Sequence, residues 1–115
     1  MKQITMIIRP EKLEQVKKVI DLGGCNGMTI MSVMGCGAQK GAADGSTVFH
    51  GMTTTINLLP KILVLAVVAD DVLDELVLKL EDEIRTGNVG DGKIFITNIE
   101  DAVRIRTGEH GNPAL

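Results

Sequence analysis

At 115 residues the chain is long enough for one domain and too short for two. With 44% hydrophobic and 23% charged residues it has the balance of a globular domain and excludes intrinsic disorder. A net charge of -3 leaves no electrostatic footprint for nucleic acid. Phe49 and Phe95, with no Trp and no Tyr, exclude an aromatic platform for single strands.

In chain order, Ile4–Ile8 reads as a first strand. Pro10 suits the first turn of a helix, where its missing N–H is harmless. Leu13, Val16, Val19 and Ile20 give that helix an apolar stripe, and Gly23 and Gly24 stop it. Met28–Met34 is apolar and β-branched enough for a second strand. Gly35 to about Leu59 is glycine-punctuated, without helical or strand periodicity, and only Val48-Phe49 hints at strand. A connection of that length in so small a domain is usually functional. Ile62–Ala69 reads as a buried third strand, and Asp70 and Asp71 open a second helix at the positive end of its dipole. Val72, Leu73, Leu76, Val77, Leu80 and Ile84 form its apolar face, with Arg85 in the last turn and Gly87 beyond. Ile94–Ile96 is the fourth strand, and Val103–Arg106 reads as a short extended tail.

This β-α-β-β-α-β order predicts an α+β, ferredoxin-like split-βαβ domain: a four-stranded antiparallel sheet with two helices on one face. The first three strands are apolar on both faces, so the second sheet face needs a cover. A homo-oligomer with sheets packed together supplies one. Cys25 and Cys36 alone suggest a reducing compartment, not a disulfide scaffold. Arg9 and Pro10 interrupt the N-terminal apolar stretch, and Ile62–Ala69 is less than half of a bilayer span. A cytoplasmic protein without membrane insertion is expected.

Two glycine-rich segments bear on chemistry. Gly35-Cys36-Gly37-Ala38-Gln39-Lys40-Gly41 has the look of a dinucleotide fingerprint, but Lys40 replaces the third glycine and no helix follows. Gly87-Asn88-Val89-Gly90-Asp91-Gly92-Lys93 has P-loop spacing up to the lysine. Ile94 replaces the metal-binding hydroxyl, and the loop leaves a helix for a strand, the reverse of a P-loop. What survives is the physics of backbone N–H groups closing around phosphate, with Lys93 adding charge. Taken alone, the segment reads better as a helix C-cap and tight turn. Arg104-Ile105-Arg106 in an extended tail puts two guanidiniums on one side while Ile105 anchors the other. Together these features favour an anionic ligand over a pair of solvated arginines. Ser46, Thr53, Thr54 and Thr55 read as polar loop residues, and His50 and His110 lack a second ligand at metal spacing.

The same residues carry a resemblance. Thr86–Phe95, Ile105-Arg106-Thr107-Gly108-Glu109, the Gly35–Gly41 segment, Leu59-Pro60-Lys61 and the opening Ile7-Ile8-Arg9-Pro10 together resemble the PII signal-transduction proteins of nitrogen regulation. The likeness spans residues 1–115 as one domain, with a divergent T-loop at about 36–58, a B-loop at about 85–93 and a C-terminal segment at about 102–115.

The resemblance implies a homotrimer in which ATP and ADP compete for clefts between neighbouring subunits. Gly35, Cys36, Gly37, Ala38 and Gln39 at the T-loop base and Gly90, Asp91, Gly92 and Lys93 in the B-loop would line the phosphate side with Ile7. Arg104 and Arg106 would reach in from the adjoining subunit, and Thr29 and the backbone near Val67 would hold the adenine. It further implies a secondary 2-oxoglutarate site made by Gln39, Lys40, Gly41 and Lys61, with Gln39 ligating an ATP-bound Mg²⁺. No residue is assigned a catalytic role. The T-loop would regulate a target protein, a membrane transporter or a metabolic enzyme or regulator. Three departures stand out: Ala38 where the family usually has an arginine, Leu65 where an acidic residue is common, and no tyrosine to uridylylate. Two alternatives follow from the same residues: an adenylate energy sensor that ignores 2-oxoglutarate and acts on a non-ammonium transporter, and a weak ATPase positioned by Gln39 and Lys40.

Overall fold

A computed structural model describes residues 1–37, 46–49, 52–55 and 58–115 of the chain. Strand β1 (Lys2–Ile8) alternates, burying Ile4, Met6 and Ile8 on one face and half-burying Gln3, Thr5 and Ile7 on the other. Pro10 opens a short 3₁₀ turn, Pro10–Lys12, that runs into helix α1 (Leu13–Leu22). Gly23 N–H donates to Val19 O at 2.9 Å to close that helix. Strand β2 (Thr29–Cys36) follows. A hairpin, β3 (Ser46–Phe49) and β4 (Met52–Thr55), precedes the long strand β5 (Leu58–Val68). Helix α2 (Leu73–Ile84) and strand β6 (Gly92–Asn98) complete the order.

Four strands form one antiparallel sheet in the order β2-β5-β1-β6, and β3 and β4 pair separately. This is the ferredoxin-like arrangement expected from the sequence. Both helices bury their stripes, Val16 and Ile20 from α1 and Leu73, Leu76, Leu80 and Ile84 from α2, against Ile4, Met6, Ile8, Val64, Ala66 and Val68. Each such side chain contributes roughly 1.5–3 kcal/mol of transfer free energy.

The opposite sheet face carries no helix. Register places Ile7 between Leu63 and Lys93, and Thr5 between Leu65 and Phe95, while Met31 adjoins Leu63. Phe95 and Met31 are 48% and 44% exposed there. An apolar sheet face of this kind needs a partner surface.

Three differences from the sequence reading bear on the site, beyond shifts of one to two residues at the ends of β1, β2 and β6. β5 begins at Leu58, before Ile62, because it runs past the end of β1 and pairs with β2 alone. Pro60 sits in that one-sided stretch, opposite Met34, where a sheet tolerates a residue without an N–H. The segment expected to lack periodicity contains the β3–β4 hairpin, with Thr47 opposite Thr54 and Phe49 opposite Met52. Its β-branched threonines suit strands although they give no polar–apolar alternation. The expected extended tail at Val103–Arg106 is instead the start of a turn. Val103 bridges His110, and Arg104 O accepts from Thr107 N–H at 3.2 Å and from Gly108 N–H at 2.8 Å. Gly108, at φ +72, supplies the left-handed residue that reverses the chain.

Candidate functional site

The B-loop is organised from within. Arg85 takes an extended conformation after α2, and the chain returns to β6 through residues 86–91. Asp91 gathers the loop: its Oδ2 accepts from Thr86 N–H at 2.8 Å and Gly87 N–H at 2.9 Å, and its Oδ1 accepts from the Thr86 hydroxyl. These bonds, chiefly those of Thr86, with smaller help from Gly87 and Arg9, hold the Asp91 carboxyl down at about 2. Arg9 reaches across from the end of β1, with Nη2 donating to Val89 O at 2.8 Å and Nε 3.4 Å from Asp91 Oδ1. The loop then presses on β1. Gly92 has φ +98, and a Cβ there would lie 1.7 Å from Ile7 O, so only glycine fits.

This loop forms one wall of a cleft of about 460 Å³ on the open sheet face. The cleft brings together Ile7, Gly35, Cys36 and Gly37 with Lys61, Gly90, Gly92 and Lys93. Residues some fifty positions apart in sequence meet because β2 ends where β6 begins. Among the described residues the lining contains two lysines and no carboxylate, so their field favours an anion. Lys61 Nζ donates to Gly90 O at 2.7 Å, tying β5 to the B-loop. Asp91, expected at the ligand, does not line this cleft; its carboxylate serves its own loop. Ala38, Gln39, Lys40 and Gly41 lie outside the described residues.

A second cleft, about 480 Å³, lies at the other end of the sheet. It gathers Thr29, Leu65 and Val67 with Arg104 and the C-terminal Leu115. Arg104 Nη2 donates to Leu115 O at 2.8 Å, and its Nη1 stands 3.5 Å from Glu109 Oε1. Arg106 is exposed and outside this cleft, and Ile105, expected as an anchor, is 99% exposed. The turn rotates these residues off a common strand direction, which corrects the expectation that alternation aligns the two arginines. The base of the segment is tied by Asp101, which accepts from Ala102 N–H and Gly111 N–H at 2.8 and 2.9 Å and pairs with His110 Nδ1 at 2.7 Å. The His110 contact is the main reason its carboxyl sits below the usual range.

The expected nucleotide residues thus fall into two clusters on one chain. Thr29 and Gly35 stand near opposite ends of β2, about 20 Å apart at about 3.3 Å per residue. The described residues offer no group of three or more His, Cys, Asp or Glu side chains for a metal ion. Sequence reasoning missed Arg9, whose partners lie 80 and 82 residues away. The signal it left was faint: a cation at the end of an apolar strand, directly before a proline.

Comparison with known proteins agrees with this architecture. A family model described as nitrogen regulatory protein P-II matches residues 1–109. Nitrogen regulatory protein P-II 1 of Methanothermobacter thermautotrophicus is 47% identical over 115 residues, covering 100% of this chain and 97% of that protein. P-II 2 of the same organism is 45% identical over the same 115 residues, again covering 100% of this chain and 97% of its own. Nitrogen regulatory protein GlnK of Escherichia coli K12 is 41% identical over 115 residues, covering 100% of both chains. With a matching family model and full-length relatives, the chain belongs to the nitrogen regulatory P-II family of signal-transduction proteins.

Proposed function

We propose that the protein is a cytoplasmic homotrimeric regulator that binds ATP or ADP where the phosphate-side cluster of one subunit meets the base-side cluster of the next. The observation that carries this reading is the division of the expected residues into two clefts about 20 Å apart on one chain. A cyclic assembly joins unlike surfaces head to tail, so each interface receives one cluster from each neighbour. The apolar sheet face bearing Ile7, Leu63, Leu65 and Phe95 is the surface that packs toward the centre of such a ring.

In this arrangement the N–H groups around Gly35, Gly37, Gly90 and Gly92 surround the phosphates while Lys93 neutralises charge. Ile7 packs against the nucleotide, and Thr29 and the backbone near Val67 hold the base, with Arg104 and Arg106 reaching in from that same neighbour. Mg²⁺ carried with ATP would offset phosphate charge, and Gln39 is the residue to ligate it. Lys61, with Gln39–Gly41, would bind a carboxylate of 2-oxoglutarate with one N–H while another donates to Gly90 O. That shared ammonium would couple 2-oxoglutarate to the B-loop.

The segment from β2 to β5, including the β3–β4 hairpin, is the element that docks on the target, a membrane transporter or a nitrogen-metabolism enzyme or regulator. Ligands control docking only as far as their affinities differ between loop states. Binding is favoured over hydrolysis because Asp91, in the B-loop beside the cleft, is already occupied by its own loop and, held down at about 2, is a weak base. Calorimetric titration of the assembled protein with ATP and with ADP, each with and without 2-oxoglutarate, tests this. Saturable binding of both nucleotides is expected, with ATP affinity raised by 2-oxoglutarate. No binding of either refutes the reading; indifference to 2-oxoglutarate makes the protein an adenylate sensor.

A further inference from the structure

Arg9 belongs to no glycine-rich motif, yet it joins two points of the B-loop that flank Gly90. Its Nη2 donates to Val89 O at 2.8 Å, and its Nε lies 3.4 Å from Asp91 Oδ1. The two side chains of the ion pair are only 19% and 23% exposed, so solvent screens it less than a pair on open surface. Arg9 also stands on a rigid base. Its backbone, at φ -64 and ψ 139, is held extended by the following Pro10. Its neighbour Ile8 pairs in register with Gly92, so β1 and the loop exit are already locked together.

A planar guanidinium presents N–H groups in fixed directions, which lets one side chain serve a carbonyl and a carboxylate at once. Asp91 passes the constraint on, because the same carboxylate holds Thr86 N–H and Gly87 N–H. Arg9 is not among the described residues that line the cleft, and its Nε and Nη2 donors are directed at the loop.

We infer that Arg9 is a positioning residue for anion binding, holding Val89 and Asp91 so that the Gly90–Lys93 backbone is shaped for phosphate before ligand arrives. Preorganisation of this kind lowers the ordering cost of binding. The ligand in this inference rests on the nucleotide reading above; the clamp itself rests on the loop geometry.

The test compares wild type with Arg9→Gln and Arg9→Lys by ATP calorimetry and by amide hydrogen exchange of the ligand-free protein. Arg9→Gln is expected to weaken ATP binding about tenfold, the loss of one charge-assisted hydrogen bond. Arg9→Lys should fall between, since one ammonium reaches Asp91 but not Val89 O as well. The Thr86 and Gly87 amides should exchange faster in Arg9→Gln while those of Ile4 and Val64 in the core strands stay protected. Unchanged ATP affinity in both variants overturns the inference. So does acceleration at Ile4 and Val64 equal to that at Thr86 and Gly87, which marks a merely global loss of stability. Should wild type bind no ATP, the functional reading falls, and the exchange pattern alone still upholds or refutes the clamp.

Discussion

Gly92 is where the fold and the cleft constrain one residue together, and Gly92→Ala measures how tightly. Its φ of +98 disfavours any residue with a Cβ, a penalty of roughly 1–2 kcal/mol. The added methyl would also stand 1.7 Å from Ile7 O and 2.8 Å from Ile7 C, far inside contact distance. Relief requires β6 to move away from β1 where Gly92 pairs with Ile8 and Lys93 with Ile7. Losing about two ladder hydrogen bonds at roughly 0.5–1.5 kcal/mol each adds about 2 kcal/mol. The total is about 3.5 kcal/mol, or about 14 °C in Tm at about 4 °C per kcal/mol for a chain of this size. Gly87→Ala is the control: φ is +84 but nothing lies within 4 Å, so only the backbone penalty applies, about 6 °C. Thermal unfolding at one fixed protein concentration reads both variants. Equal shifts for Gly92→Ala and Gly87→Ala would refute the close approach of the loop to β1.

Other outcomes follow from the same contacts. Because the Asp91 carboxyl is depressed from 3.8 to about 2, its stabilisation is complete above about pH 4 and is lost as pH falls toward 2. The urea-midpoint advantage of wild type over Asp91→Asn should therefore shrink across that window; a constant difference would contradict the bonding assigned to Asp91. His110→Ala removes the main cause of the lowered Asp101 carboxyl, so its NMR-detected titration should move up toward its ordinary 3.8, and an unmoved titration would show the pair idle. Phe95→Glu places a charge in the apolar sheet face opposite Thr5 and should reduce the mass seen by light scattering toward one chain. A wild-type monomer at micromolar concentration would show that this face needs no partner.

The strands and helices were legible because each has one period and a physical stop. Pro10 and Gly23 bracket α1, and Ile4, Met6 and Ile8 alternate onto the core. The β3–β4 hairpin was not, because Ser46-Thr47-Val48-Phe49 and Met52-Thr53-Thr54-Thr55 carry no polar–apolar alternation in sequence. The tail misled for the opposite reason: Arg104-Ile105-Arg106 alternates like a strand, but the bonds that bend it run from Arg104 O to Thr107 and Gly108. The glycine-rich walls of the cleft could be read from spacing, since Gly90, Gly92 and Lys93 are close in sequence. Arg9 could not, because its pairing with Asp91 depends on β1 and β6 lying side by side.

The central claim is that the nucleotide site is divided between two chains, and mixing disabled subunits tests it most directly. Lys93→Ala removes a cation from the phosphate-side cleft and Arg104→Ala one from the base-side cleft. Each homo-oligomer should bind ATP poorly. In a ring assembled at random from equal amounts of both, about a quarter of the interfaces unite an intact Lys93 from one subunit with an intact Arg104 from the next. Calorimetry of the mixed assembly should recover wild-type affinity at about that fraction of sites. If mixing restores no high-affinity sites, both clusters serve the ligand from a single chain and the shared site is wrong.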